Sequence, residues 1–300
     1  MGDLLAADFA RLIKSQIFKG VIIFCVESLV FEVIISYFNK NLSKDYMDAL
    51  LNTNFLVFGI LLSVFIGLFI GSEYSDGTMR NKLVAGNSRT AIYISNLITC
   101  VLGGFILQMV NYIELNIISV ALFGFYKPPA QILPSQQENM VLMRAMKIAE
   151  KQTIALYIII AYTAVFLLVT MLVCSKSGGT AAVMALALVI LAAGMTIDGQ
   201  VSSYNPKTAK ETTEQSESIQ YQDPIAQYQS GGFGRRKKEL SGDKLKIYLF
   251  LDDLLPASQA QNLTKLNVPK NASKYVLYDL STAGLATVFG IILFRNKDLK

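Results

Sequence analysis

Six apolar runs, each about as long as one membrane crossing, decide what this chain can fold into. They cover residues 19–38, 54–72, 91–124, 153–175, 178–198 and 275–294. A helix needs roughly 20 residues to cross the hydrocarbon of a bilayer. A chain crossing lipid must satisfy its own backbone hydrogen bonds, which leaves helices or a closed barrel. Runs this long predict helices, so the expected class is an all-α membrane protein with six transmembrane helices. Composition agrees: 53% of the 300 residues are hydrophobic and 16% are charged, against roughly 25% charged in soluble proteins. The third run exceeds one crossing, and Gly103-Gly104 inside it is the expected bend.

Before the first run, residues 1–18 hold an amphipathic segment. Leu4, Leu5, Phe9, Leu12, Ile13 and Ile17 recur at helical spacing, and Asp3, Asp8, Arg11 and Lys14 are read as lying off that stripe. This pattern predicts a helix in the membrane interface. It is not a cleavable leader, because Glu27 and Glu32 interrupt the run that follows.

Orientation follows the basic residues of short loops. Arg11, Lys14 and Lys19 precede span 1, Arg80, Lys82 and Arg89 follow span 2, Lys176 sits in the 174–179 turn, and Arg295, Lys297 and Lys300 close the chain. With six spans these four segments share one side, expected to be the cytoplasm, with both termini there and the chain in the cell membrane. The loop 125–152, with Lys127, Arg144, Lys147 and Lys151, falls on the other side and conflicts with the rule. The large segment 199–274 also falls outside. Its polar part, about 202–240, ends in Arg235-Arg236-Lys237-Lys238, read as a solvated charge run. Its later part, 243–268, is apolar enough for short helices packed on the membrane surface or on the spans.

Several chemistries are excluded. There is no histidine, which removes histidine-based zinc sites and histidine-assisted nucleophiles. Cys25, Cys100 and Cys174 lie in apolar runs without paired spacing, so they read as small buried hydrophobes and not as a disulfide or metal framework. No GxxxxGK[ST] phosphate cradle is present, so no cofactor is expected on this chain, and only if it transports actively must ATP and its magnesium sit on a separate subunit. The net charge of +5 lies in loops and ends, without the aromatic interleaving that binds nucleic acid. The intramembrane polar residues are the pathway candidates: Glu27 and Glu32 in span 1, and Gln108, Asn111, Glu114 and Asn116 in span 3. An ionised side chain near the bilayer centre costs at least about 2.5 kcal/mol, so these groups should face protein, a cavity or an interface. Gly67 and Gly71 form a GxxxG in span 2, which allows close helix approach.

The most informative polar stretch is Glu73-Tyr74-Ser75-Asp76-Gly77-Thr78-Met79-Arg80-Asn81-Lys82-Leu83-Val84-Ala85-Gly86-Asn87-Ser88-Arg89. Ser75 or Asp76 is the expected cap of a short helix, Gly86 its left-handed terminator, and Asn87 or Ser88 the cap of the next span. On composition alone the loop is equally an ordinary basic connector; its ordered motif separates the two. It resembles the cytoplasmic loop of ABC-2 type ABC-transporter permeases. Leu254-Leu255-Pro256-Ala257-Ser258-Gln259 and Phe294-Arg295-Asn296-Lys297-Asp298 are similar to the same family. The resemblance implies a single transmembrane domain over 1–300: interfacial helix 1–18, spans 1–5 over 19–198, extracellular segment 199–274, and span 6 with a cytoplasmic tail over 275–300. It implies a coupling helix that docks on a separate ABC ATPase, with Glu73, Gly77, Thr78, Met79, Arg80, Asn81, Lys82 and Leu83 at the motif positions. The apolar patch of Met79, Leu83 and Val84 is expected to enter a groove of that ATPase, with Arg80 or Lys82 at its rim. Two such permease subunits, identical or related, would form an export pathway in the lipid bilayer, and this chain would not itself be an enzyme. The alternative is a non-ABC accessory or sensor membrane protein in which 73–90 is only a connector.

Overall fold

The computed structural model describes residues 1–39, 44–124, 134–204, 243–264 and 272–297. The described residues form helices α1 (Gly2–Lys14), α2 (Gln16–Phe38), α3 (Lys44–Ser75), α4 (Thr78–Val84), α5 (Arg89–Phe123), α6 (Pro134–Val173), α7 (Lys176–Tyr204), α8 (Asp243–Leu254), α9 (Pro256–Thr264) and α10 (Ala272–Arg295). Six of them, α2, α3, α5, α6, α7 and α10, contain stretches long and apolar enough to cross a membrane. The charge tetrad Arg235–Lys238 and the residues Lys127 and Lys300 lie outside the described residues.

The apolar stretches of α3, α5 and α6 are 61%, 50% and 56% buried, whereas those of α2, α7 and α10 are only 17–22% buried. Three helices therefore form the centre, and three leave most of their surface outward. The centre is built from Leu62, Phe65, Ile66 and Phe69 on α3, Ile92, Cys100 and Leu107 on α5, and Ile159, Phe166 and Leu167 on α6. Phe65 stacks on Phe69, and Tyr162 on Phe166.

Helix α7 lies directly on the Gly67/Gly71 face of α3. A Cβ added at Gly67 would meet Thr180 Cα at 2.7 Å, and one at Gly71 would meet Lys176 Cα at 2.8 Å. The expected GxxxG contact is thus a backbone-on-backbone approach. Gly103-Gly104 lie within one uninterrupted α5. Added Cβ atoms there would strike Phe65 at 2.6 Å and Leu62 at 2.9 Å, so the pair makes room for neighbouring side chains. Helix α6 begins at Pro134, within the expected 125–152 loop, and Lys151 is buried in it and donates to Leu263 O at 3.0 Å. One basic residue of the conflicting loop is therefore spent on an internal contact with α9.

Helices α8 and α9 are packed into the bundle. Pro256, whose missing N–H costs nothing in a first turn, opens α9, and Ala257, Ala260 and Leu263 are buried. Ser258 donates to Asp252 Oδ1, and Asn262 Nδ2 donates to Asp252 Oδ2 at 3.0 Å and lies 3.1 Å from the Tyr275 hydroxyl of α10. Burial raises the neighbouring Asp253 carboxyl above its ordinary range, with Lys274 opposing the shift.

At the other end of the bundle four segments meet. Arg11 of α1 pairs with Glu73 of α3. Gly71 of α3 abuts Lys176, where α7 starts, and Tyr74 OH donates to Met171 O of α6 at 3.4 Å. Arg89 Nη1 donates to Phe294 O at 3.1 Å and to Lys297 O, closing the end of α10. The four basic segments expected on one side do lie at one end of the fold.

The α3–α7 contact gives a direct test. Gly71→Ala should lower the unfolding midpoint in detergent, by an amount corresponding to about 1–3 kcal/mol, because backbone cannot move aside. Gly284→Ala should leave it unchanged or slightly raised, since an added Cβ there meets nothing within 4 Å. Equal midpoints for the two variants would contradict the packing.

Candidate functional site

The short helix α4 is bounded by two glycines with positive φ. Helix α3 runs through Ser75, and Asp76-Gly77 form the turn; Gly77, at φ 70°, is the N-cap and contributes no side-chain bond. The expected capping by Ser75 or Asp76 does not occur, because the Ser75 hydroxyl is engaged with Ser72 O and Asp76 Oδ1, each at 3.0 Å. Gly86, at φ 85°, terminates α4 as expected. Its N–H bonds Leu83 O at 3.0 Å and the Asn87 N–H bonds Lys82 O at 3.3 Å, the two bonds of a Schellman ending. Ser88 then caps α5 by accepting from Ala91 N at 3.1 Å.

Two turns of helix cannot hold themselves in water, and α4 is held by charge. Lys82 reaches inward and is only 9% exposed. Its ammonium lies 2.7 Å from Glu73 Oε1, 2.7 Å from Asp8 Oδ1 and 3.1 Å from Asn96 Oδ1. All three of its donors are thereby engaged. Glu73, fully buried, also pairs with Arg11 through Oε1 and accepts from Asn96 Nδ2 through Oε2 at 2.9 Å. Asp8 accepts from Ser95 Oγ at 2.6 Å, and the Arg11 guanidinium lies 4.2 Å above the Phe69 ring. Two acids and two bases balance, and they join α1, α3, α4 and α5 at a single point.

This geometry revises the expected docking surface. Met79 is 2% exposed and belongs to the core, Leu83 is half-buried against it, and Lys82 is internal. Gly77 and Thr78 are half-buried, while Arg80 and Asn81 are exposed and Val84 is 80% exposed. The outward face of α4 is therefore Arg80, Asn81 and Val84, not Met79, Leu83 and Val84. Helix α1 needs a similar correction. Asp8 was expected off the apolar stripe, yet it is 2% exposed between buried Leu4 and Leu12. The i, i+4, i+8 row Leu4–Asp8–Leu12 carried that signal, as did the row Ser95, Asn96 and Thr99 at the start of span 3; all three of the latter are fully buried.

The pathway candidates fall in a second place. Glu27 is exposed on α2, and Glu32 and Asn111 are half-buried. Glu114 is half-buried, and both of its carboxylate oxygens are shielded from solvent with no hydrogen-bond partner among the described residues. Glu27, Glu32 and Glu114 make no ion pair among the described residues. The structure does not bring these acids to the α4 cluster.

Removing one member of a balanced buried cluster strands the others, at a cost of about 3–5 kcal/mol. Lys82→Met should therefore destabilise the chain strongly in detergent unfolding, and adding Glu73→Gln should restore part of the loss. Arg80→Ala, on the open face, should leave the midpoint where it was. Additive losses for Lys82→Met and Glu73→Gln would contradict a shared cluster.

Neither a scan against protein-family models nor a search of curated proteins finds a match to this chain.

Proposed function

We propose that the chain is the membrane-spanning permease of an ABC-2 type exporter, and that α4 is the coupling helix on which a separate ATPase docks. The observation that carries this reading is a seven-residue helix, fastened from behind by Lys82 and presenting Arg80, Asn81 and Val84 outward. A connector loop has no need of a buried ion-pair anchor, whereas a helix that must pass a push to the spans does. The end bearing α4 is cytoplasmic in this reading, supported by exposed Lys14, Arg80, Lys176 and Arg295 gathered there.

The anchor gives the coupling a route. Closure of the ATPase on ATP displaces α4, and Lys82 carries the displacement to Glu73 on α3, Asp8 on α1 and Asn96 on α5. Spans 2 and 3 then move with α4 as one body, and the equilibrium between inward-open and outward-open forms shifts. A second permease subunit completes the pathway, and the outward surfaces of α2, α7 and α10 are available to it and to lipid.

Docking is tested by charge reversal and apolar deletion on the open face. The double variant Arg80→Glu/Val84→Asp should reach the membrane at normal levels yet fail to co-purify with an ABC ATPase that the unaltered chain retains. An exposed Val84 gains apolar contact on docking, worth roughly 1.5–3 kcal/mol when fully buried, and reversal of Arg80 adds repulsion at the rim. Full retention of the ATPase by this variant would refute docking through α4.

A further inference from the structure

Asp279 lies on α10 inside the apolar stretch Ser273–Arg295, about 9 Å along the helix from its start. It is fully buried, and neither of its carboxylate oxygens has a hydrogen-bond partner among the described residues. The side chain of Gln259, from the first turn of α9, lies beside it. Gln259 is fully buried as well. Its Nε2 donates to Asp253 O at 2.7 Å, and its Oε1 has no partner among the described residues. Buried polar groups in native folds are paired almost without exception. These two neighbours offer only acceptors to each other, so what the contact lacks is a donor.

No charged group nearby supplies one. Helix α9 contains no ionisable residue. On α6 the titratable group facing Asp279 is Tyr162, which does not hydrogen-bond to it, and Lys151 is engaged with Leu263 O. On α8, Asp252 is held by Ser258 and Asn262, and Asp253 is opposed by Lys274 of α10. Tyr275, one turn before Asp279, is met by Asn262 and by the charge of Asp198 of α7. Helix α5 meets α10 through Tyr93 and Arg89, against Gly290 and Phe294 toward the other end of the helix. No Lys or Arg forms an ion pair with Asp279 among the described residues. A hard metal cation takes about six oxygen ligands, and no metal-holding group of acids or cysteines is gathered among the described residues. A single proton supplies the missing donor and needs no cavity.

We infer that Asp279 is a proton-binding site: the folded chain carries one proton there, offered as a hydrogen bond to Gln259 Oε1, and its loss loosens α9 from α10. On release the proton passes to solvent and leaves a bare carboxylate in apolar surroundings, which is costly until water enters between the two helices. Helix α9 also touches α3, α6 and α7, so its loosening reaches three spans. The packing at this end of the bundle thereby becomes a function of pH. The site does not depend on the permease reading.

Infrared difference spectra of the purified full chain in neutral detergent, unaltered minus Asp279→Asn, read the proton directly. At neutral pH the difference should contain the carbonyl band of a carboxylic acid and no carboxylate bands; alkaline pH should replace the first by the second. Thermal unfolding gives an independent reading. The folded chain holds a proton that the unfolded chain releases, so this contact stabilises less as pH rises. Asp279→Asn, whose amide can also donate to Gln259 Oε1, should escape that loss, and its midpoint should gain on the unaltered chain with rising pH. Glu150→Gln, an exposed acid on α6, should keep the unaltered profile. Carboxylate bands for Asp279 at neutral pH, or a midpoint difference that pH does not change, would overturn the inference. So would a midpoint that rises with sodium at fixed ionic strength in the unaltered chain and not in Asp279→Asn, which would put a metal cation on the carboxylate.

Discussion

The contact on which the α4 end of this fold depends is the ammonium of Lys82 between two buried carboxylates. Asp8 and Glu73 come from helices far apart in sequence, and both are essentially inaccessible to solvent. Either carboxylate alone would be costly to bury. Lys82 and Arg11 offset that cost only if α1, α3 and α4 meet in one geometry, and Asn96 and Ser95 complete the hydrogen bonds from α5. Such a cluster contributes little net stability compared with an apolar core, but it has one satisfactory arrangement. Its value lies in register: it fixes a short helix rigidly to three longer ones.

The rest of the architecture fits that constraint. The turn before α4 is held by a left-handed Gly77 and the turn after it by Gly86, so the helix cannot lengthen in either direction. Arg89 then fastens the start of α5 to the end of α10. The GxxxG face of α3 sets α7 against the same end through Lys176. The opposite end is organised differently, around Asp252, Ser258, Asn262 and Tyr275, where α8 and α9 are wedged among the spans. Two polar clusters thus lie at the two ends of the bundle.

Much of this was legible in the sequence because the bilayer imposes a length and a hydropathy that few other environments demand. All six long apolar helices, the glycine face of α3, the terminating Gly86 and the Ser88 cap were readable from local pattern. The inward turns of Asp8 and Lys82 were not, because a charged residue beside an apolar stripe is ordinarily solvated. Each finds its partner on another helix, information that periodicity does not carry. Even so, Lys82 follows buried Met79 by three residues and Asp8 stands four from both Leu4 and Leu12, so their helical faces pointed inward. The early start of α6 was hidden for a related reason: its first turns are polar, and hydropathy marks the membrane boundary and not the helix boundary.

The central claim is that α4 shows one face to the bundle and the other to a cytoplasmic ATPase. Thiol labelling tests it most directly. In a chain whose three native cysteines are replaced, single cysteines at Val84 and Met79 would be probed with an impermeant reagent in inside-out vesicles, with and without the co-expressed ATPase. The account predicts that position 84 reacts in the chain alone and is protected by the ATPase, while position 79 is unreactive in both. Reaction at position 84 that the ATPase does not alter, or reaction from the outside of intact cells, would contradict it.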